Sequence, residues 1–313
     1  MINKKVLVTG GAGFIGSNLV QYLLANNYEV TVVDNLLTGH LSNLESTYNK
    51  LNFIKGDIRD FELIDHLMKD IDTVFHLAAS VGNKRSIDFP LEDAQINVIG
   101  TINILEAARK HNIRKIVTSS SAGIFGELKM IPINENHPID PDTPYGSTKL
   151  CQEKLCLSYS KLYNFEAVCL RYFNVYGQNQ RFDAYGNVIP IFVYNIIHDI
   201  PIKIFGDGEQ TRDFIHVNDV VKANVNASLS IGISGAFNIA SGESISINQL
   251  VSILSSFTDK KVIVSYLDKR PGDVIHSLAD ISSAKENINF NPSTQLIEGL
   301  REYFIWASEF YSK

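Results

Sequence analysis

The sequence predicts an α/β fold: a doubly wound parallel sheet followed by a smaller C-terminal α/β lobe. Two patterns carry this expectation. Short apolar runs alternate with helix-period segments through the first half of the 313-residue chain, and such alternation argues for parallel strands joined by crossover helices. A glycine-rich turn, Gly10-Gly11-Ala12-Gly13-Phe14-Ile15-Gly16, stands between the first strand pattern and the first helix pattern.

In chain order, residues 4–9 read as a buried strand, and Leu19, Val20, Leu23 and Leu24 form the apolar stripe of the helix after it. Gly10, Gly13 and Gly16 let the backbone approach a pyrophosphate resting on free N–H groups at the helix N-terminus. A second strand over 29–33 ends at Asp34, an acid placed to bind adenosine ribose hydroxyls and to repel a 2′-phosphate. Together these are the marks of a Rossmann-type dinucleotide site, with NAD favoured over NADP. Further strands are predicted over 51–54, 73–77, 115–118 and 166–172, and helices over 61–68, 91–111 and 146–163. Gly10, Asp34, Asp57, Ala78 and Ser121 each come just after a predicted strand, where doubly wound sheets bind ligands. Past residue 173 the chain is punctuated by Gly206-Asp207-Gly208, Pro271-Gly272 and Asn291-Pro292. The expected division is a NAD-binding domain over 1–173, to which segments near 214–240 return, and a second lobe over 174–313.

The composition, 45% hydrophobic and 20% charged, is that of an ordinary globular enzyme. A formal net charge of −6 gives no sign of a nucleic-acid or anionic-membrane partner. There is no apolar run long enough to span a bilayer and no signal-peptide pattern at the start. Cys151, Cys156 and Cys169 lack metal-ligand spacing, so no metal site is expected and the thiols read as reduced residues of a cytoplasmic protein.

The chemistry centres on Tyr145 and Lys149, four residues apart on a predicted helix and therefore on one face of it. An ordinary Tyr has a pKa near ~10 and is a poor base at neutral pH. An ammonium beside it favours the phenolate. Ser119-Ser120-Ser121, at the end of a predicted strand, can supply the hydrogen bond that fixes a reacting hydroxyl. The three types of group describe proton transfer to or from an alcohol.

An ordered set of segments resembles the extended short-chain dehydrogenase/reductases, and among them the NAD-dependent UDP-hexose 4-epimerases. The set comprises the glycine turn, Asp34-Asn35 with Thr38-Gly39, Gly56-Asp57-Ile58, His76-Leu77-Ala78-Ala79 and Asn97 with Gly100-Thr101. It continues with Ser119-Ser120-Ser121-Ala122, Tyr145 and Lys149, and the segments 171–177, 211–216 and 270–273. The resemblance implies catalytic roles for Tyr145, Lys149 and Ser121, with Ser120 as the fallback for the serine. For NAD it implies Gly10, Gly13, Phe14, Ile15 and Gly16 at the pyrophosphate, Asp34 and Asn35 at the ribose, and Asp57 and Ile58 flanking the adenine. Leu77, Ala78, Ala79, Ser119 and Tyr172 join Tyr145 and Lys149 near the rest of the cofactor. Asn97 would anchor the back of that site, and a solvated helix Asn is the competing reading. For the substrate the resemblance implies Ser120 and Ser121 at the sugar, Asn174, Arg212 and Arg270 at the UDP diphosphate, Asp273 near the uridine ribose, and Asn187 and Val188 at the uracil. Arg suits phosphate because its planar fork makes paired, charge-assisted hydrogen bonds.

The implied reaction is epimerisation at C4 of a UDP-hexose through a bound 4-keto sugar. Related dehydratases and decarboxylases carry an acid just after the strand-end serine or threonine, whereas here no acid occurs before Glu127. Val81 stands where galactose-type epimerases usually have Lys. Ser277, seven residues after Arg270, is small where relatives that reject N-acetyl groups often have Tyr. UDP-GlcNAc and UDP-GalNAc are therefore expected as substrates, as well as or in preference to UDP-Glc and UDP-Gal. A UDP-glucuronate 4-epimerase or another sugar-nucleotide-modifying member is the alternative, and a non-catalytic NAD-binding sensor is the reading from another class. The resemblance also implies a homodimer through a four-helix face, in which Ile102, Leu105 and Leu155 serve either the interface or the core.

Overall fold

The computed structural model describes residues 4–182, 186–269 and 274–312. Its strands are β1 (Lys5–Thr9), β2 (Glu29–Asp34), β3 (Asn52–Lys55), β4 (Thr73–His76), β5 (Lys115–Ser121), β6 (Glu166–Tyr172) and β7 (Asn174–Tyr176). They continue with β8 (Ile202–Phe205), β9 (Thr211–Arg212), β10 (Phe214–His216), β11 (Gly235–Ile239), β12 (Ile245–Ser246) and β13 (Val264–Leu267). The α-helices are α1 (Phe14–Ala25), α2 (Phe61–Leu67), α3 (Asn83–Asp88), α4 (Pro90–Ala94), α5 (Thr101–Lys110) and α6 (Pro144–Leu162). After them come α7 (Val188–Ile197), α8 (Val217–Leu229), α9 (Ile247–Ser255), α10 (Ser282–Ile288) and α11 (Leu296–Tyr311).

The main sheet has seven strands in the order β11-β6-β5-β4-β1-β2-β3, all paired in parallel. This is the α/β class expected from the sequence. Both faces are covered, so the central strands are buried: Leu7, Val8, Val74 and Phe75 are inaccessible to solvent. On one face Leu19 and Leu23 of α1 and Val220 and Ala223 of α8 pack with Val8 and Phe75. On the other, Ile64 of α2, Ile104 and Leu105 of α5 and Cys156 of α6 pack with Leu7 and Val74. A third cluster, with Phe192, Val193, Ile204, Leu250, Leu300 and Tyr303, joins α7, α9 and α11 to β8. Three two-stranded sheets, β7 with β10, β9 with β12 and β8 with β13, complete the second half. The late strand β11 lies against β6 in the main sheet, and α8 packs on β5, β6 and α1.

Chain direction across the sheet reverses between β1 and β4. Crossovers leave in opposite directions there, so a crevice opens beyond the strand ends. The walls meet closely: a Cβ on Gly10 (φ +70°) would lie 2.7 Å from Ala78 N.

The helix expected over 91–111 is present over 90–110, but it is not one regular α-helix. A π-helical turn (Gln95–Gly100) separates α4 from α5. The turn brings Gly100 onto Ile58, where any Cβ would lie 2.4 Å from the Ile58 Cδ1, and it carries Asn97 inward. Such one-turn widenings are frequent at functional sites. Leu105 is fully buried in the second cluster, while Leu155 is partly buried against it.

His76, at the end of β4, ties three elements together. Thr101 donates its hydroxyl proton to Asn97 O (2.7 Å), so it accepts from His76 Nε2 at 3.0 Å. His76 Nδ1 is then the acceptor for Thr9 Oγ1, 2.8 Å away. Complete burial and the Lys149 charge push the His76 pKa down to about 3. A neutral native histidine contributes stability that is fully present above its unfolded pKa of ~6.5 and is lost as pH falls toward the folded value. Urea midpoints should therefore decline between pH 6.5 and 4.5, by about 2–3 kcal/mol from this residue, and His76→Gln should flatten that decline. Equal slopes in the two proteins would remove His76 as its source.

Candidate active site

The glycine turn is built by close backbone contacts. Gly10 N donates to Val33 O (2.9 Å) and Gly13 N to Gly10 O (3.1 Å). A Cβ on Gly16 would sit 2.1 Å from Gly10 O, so only glycine lets α1 start there. Gly13 caps the 12-residue α1 with no side-chain hydrogen bond, which leaves the helix N-terminus for an anion. Phe14 and Ile15, in the first helical turn, pack against the core. Ala12 is locked on both sides: its N–H donates to Asp34 Oδ2 (2.9 Å), and its carbonyl accepts from Asn43 Nδ2 (2.9 Å) and His40 N (3.0 Å).

Asp34 is buried at the end of β2 and accepts from Leu36 N (2.8 Å) as well as Ala12 N. Burial raises its pKa, and these two N–H bonds oppose the rise. Asn35 donates to Asp57 Oδ2 at 2.8 Å. Arg59 grips the same carboxylate and, with Asn35, holds its pKa at about 2. The Ile58 side chain is buried against Gly100, so a cofactor contact there falls to its backbone. Ala78 N donates to Thr9 Oγ1 (3.2 Å) and Leu77 N to Thr9 O (3.2 Å); the half-buried Ala79 follows them past the crevice. The glycine cradle, the uncapped helix end and the strand-end Asp34 fit a dinucleotide.

Across the crevice, α6 starts at Thr143, whose Oγ1 caps Gly146 N (3.2 Å) with Pro144 in the first turn. Ser86 Oγ accepts from Tyr145 N (3.0 Å), which fixes the start of the helix to α3. The Ser121 hydroxyl accepts from Gly123 N (3.1 Å) and shares the space over Gly123 with the Tyr145 ring: a Cβ there would lie 3.3 Å from Ser121 Oγ and 3.7 Å from Tyr145 Cε1. Ser120 is turned the other way, donating to Glu153 Oε2 at 2.7 Å, as strand alternation requires. Glu153 pairs with Arg171 Nη2 (2.7 Å) in a site closed to solvent. The hydroxyl proton of Ser120 is thereby committed to Glu153. Ser119 Oγ receives Lys149 Nζ at 3.2 Å.

The electrostatics depart from the expectation that Lys149 lowers the Tyr145 pKa. Burial raises the phenol, with Ser121 opposing and Asp93 adding to the rise. Lys149 is itself pushed down to about 8 by burial. Its Nζ donates to Gln152 Oε1 at 2.6 Å, and neither Gln152 nor Asp93 is prominent in the sequence. Asp93 is buried on α4 and accepts from Thr148.

Asn97 is not solvated. Its Oδ1 accepts from Ser80 N (2.8 Å), and its Nδ2 donates to Ser80 O and Thr148 Oγ1, each at 3.1 Å. It thus links the loop after β4 to α6. Tyr172 commits its hydroxyl to Asn224 (3.0 Å), so only its ring remains for a cofactor.

The second half is organised by Asp213, a residue the sequence did not single out. Fully buried, it accepts from Ser241 N, Gly242 N and Ala279 N. Asn174 Nδ2 donates to Asp213 O (3.0 Å). Arg212 donates to Thr211 O (2.9 Å) and lines a cavity with Ser241, Glu243 and the residues leading into α11. Ser277 is buried in a strip that Thr211 N holds through Ile275 O (2.9 Å) and Ile133 N through Leu278 O (2.8 Å). Asn187 caps α7, its side chain making no capping bond, and Val188 opens that helix. Arg270 and Asp273 lie outside the described residues. No cluster of His, Cys, Asp and Glu among the described residues could hold a metal ion, and none of their helices is long and apolar enough to cross a membrane.

Residues 6–240 match the model of the NAD dependent epimerase/dehydratase family. UDP-glucose 4-epimerase of Mycolicibacterium smegmatis is 37% identical over 300 residues, 95% of this chain and 96% of the relative. A solved structure of UDP-N-acetylglucosamine 4-epimerase from Methanobrevibacter ruminantium M1 in complex with UDP-N-acetylmuramic acid is 39% identical. It superposes with a TM-score of 0.94 and covers 100% of this chain and 99% of its own. The UDP-glucose 4-epimerase of Thermotoga maritima, solved with UDP-glucose, is 36% identical with a TM-score of 0.92, covering 98% of this chain and 99% of its own.

Asp34→Ala removes the acceptor for two backbone N–H groups along with the charge. NAD affinity should fall roughly ten- to hundredfold, and the preference for NAD over NADP should narrow, as read by calorimetric titration with both. An unchanged NAD/NADP ratio would remove Asp34 from the ribose.

Proposed function

The chain belongs to the NAD dependent epimerase/dehydratase family, and we propose that it is a UDP-hexose 4-epimerase that also accepts N-acetylated UDP-hexosamines. The observation that carries this reading is the meeting of Ser121 Oγ and the Tyr145 ring over Gly123 at the end of β5, with Lys149 one turn further along α6 and the glycine cradle across the crevice. The residues from 122 to 126 add no carboxylate beside Ser121. Asp93, the buried acid near Tyr145, is already bonded to Thr148. A proton relay without a partner acid suits reversible oxidation at one carbon better than elimination.

Tyr145 takes the proton from the sugar 4-hydroxyl and later returns it. Ser121 orients the 4-oxygen by hydrogen bonding. Lys149 supports the phenolate and bonds the nicotinamide ribose. When bound, NAD supplies a reversible hydride acceptor and, in its oxidised form, a positive charge. Burial favours the protonated phenol of Tyr145 in the ligand-free protein, so deprotonation depends on positive charge reaching the site. Gly10, Gly13, Gly16, Asp34 and Asn35 hold the dinucleotide, and Asp57 and Ile58 flank its adenine. Residues 1–173 with α8 and β11 form the NAD-binding part, and the rest of 174–313 holds the UDP-sugar. There Asn174, Arg212 and Arg270 bind the diphosphate, Asp273 the uridine ribose, and Asn187 and Val188 the uracil. The exposed apolar residues Phe89, Leu91, Ile99 and Leu162 on α4 to α6 and their flanks support a homodimer through this face. Three free thiols support a reducing, cytoplasmic setting.

Tyr145→Phe should reduce kcat by roughly two to four orders of magnitude while leaving NAD and UDP binding nearly intact. Loss of NAD binding or of the folded state in that variant would assign Tyr145 a structural role. A product analysis across UDP-Glc, UDP-Gal, UDP-GlcNAc, UDP-GalNAc and UDP-glucuronate tests the reaction itself, and no C4 epimer from any of them sinks the reading.

Ser277 is the small residue proposed to leave room for an N-acetyl group. Ser277→Tyr should depress kcat/KM on UDP-GlcNAc by about ten- to two-hundredfold with a smaller effect on UDP-Glc. Equal effects on both sugars would end its role as a gate.

A further inference from the structure

Lys149 is surrounded at hydrogen-bond distance by neutral groups. Its Nζ donates to Gln152 Oε1 at 2.6 Å and to Ser119 Oγ at 3.2 Å, and both Lys149 and Gln152 are 1% exposed. What lies behind Gln152 dictates the orientation of its amide. Thr118 donates its one hydroxyl proton to His76 O at 3.3 Å. It therefore meets Gln152 Nε2 as an acceptor, at 2.7 Å. With the amide nitrogen committed to Thr118, the amide oxygen faces Lys149.

We propose that Gln152 is the positioning residue for Lys149: the chain from Thr118 through Gln152 aims the ammonium and keeps it charged without neutralising it. Charged and titratable groups approach Lys149 from every packed element. They are Asp93 from α4, neutral His76 from β4, Glu153 and Cys156 from α6, and Cys169 from β6. None of them is a hydrogen-bond partner of Nζ among the described residues. Glu153 is held by Arg171 and Asp93 by Thr148. A buried ammonium loses its proton readily, as the fall to about 8 shows. A neutral acceptor stabilises the charged form and leaves its field intact for the phenolate. A carboxylate at position 152 would hold the proton better but cancel that field.

The kinetic readout rests on the epimerase reading, whereas the titration of Lys149 does not. The NAD-loaded wild type is compared with Gln152→Met, close in shape but with no acceptor, and with Gln152→Glu. Lysine labelled with carbon-13 at Cε reports the Lys149 titration midpoint by NMR, assigned by its loss in Lys149→Arg. In Gln152→Met the midpoint and the alkaline limb of kcat should both move down by about half to one pH unit. In Gln152→Glu the midpoint should move up, the acid limb governed by Tyr145 should also move up, and kcat at pH 7 should fall at least about tenfold. A common midpoint in all three proteins, or shifts of one sign in both variants, overturns the proposal. If Gln152→Met does not fold, the Gln152→Glu comparison decides alone. Should the wild type turn over no UDP-sugar, the function reading fails while the NMR midpoints still judge Gln152.

Discussion

Everything at the site depends on how α6 lies across the end of β5. Four successive strand residues address four positions of one helix: Thr118 meets Gln152, Ser119 meets Lys149, Ser120 meets Glu153 and Ser121 meets Tyr145. The contacts are shielded from water, where hydrogen bonds are strong and an unmade one is costly. Arg171 carries the same network to β6 through its bidentate pairing with Glu153 and sits over the Phe125 ring, 5.3 Å from its centroid. A slip of the helix by one residue would break all four at once.

The network also sorts one serine run into three functions. Each serine meets a different residue of α6. Ser120 anchors the helix, while Ser119 and Ser121 serve the lysine and the tyrosine. Burial then sets the electrostatics. The phenol rises and the ammonium falls relative to their ordinary values because burial penalises the charged form of each. Before any ligand arrives both groups are thus biased towards their neutral forms.

Parts of the site were legible in sequence because their causes are local. Gly10, Gly13 and Gly16 are needed by a turn that closes on itself, and Asp34 ends the next strand. Tyr145 and Lys149 share a helix face by spacing alone. Strand and helix positions followed hydrophobic periodicity, and β6 begins and ends where the pattern does. Other parts were hidden because their partners are remote. Asn97 meets Ser80 and Thr148, so nothing nearby in sequence marks it as buried. The π turn around it arises where Gly100 meets Ile58, a contact that breaks the period expected over 91–111. Gln152 reads as an ordinary helix polar residue until Thr118 and Lys149 close around it. Asp213 draws Ser241, Gly242 and Ala279 together only in the folded chain.

By itself the sequence determined the α/β class, the glycine turn before α1 and the shared helix face of Tyr145 and Lys149. These follow from period, spacing and the unique backbone freedom of glycine, which act over a few residues. Tertiary structure alone decided which serine faces the tyrosine, that Asn97 is a buried clasp, and that the ammonium rests on a neutral amide. Those outcomes depend on which distant strand and helix a side chain meets and on how much water the meeting excludes. The depth of burial that sets the charge of Tyr145 and Lys149 belongs to the assembled layers and to no segment of the chain.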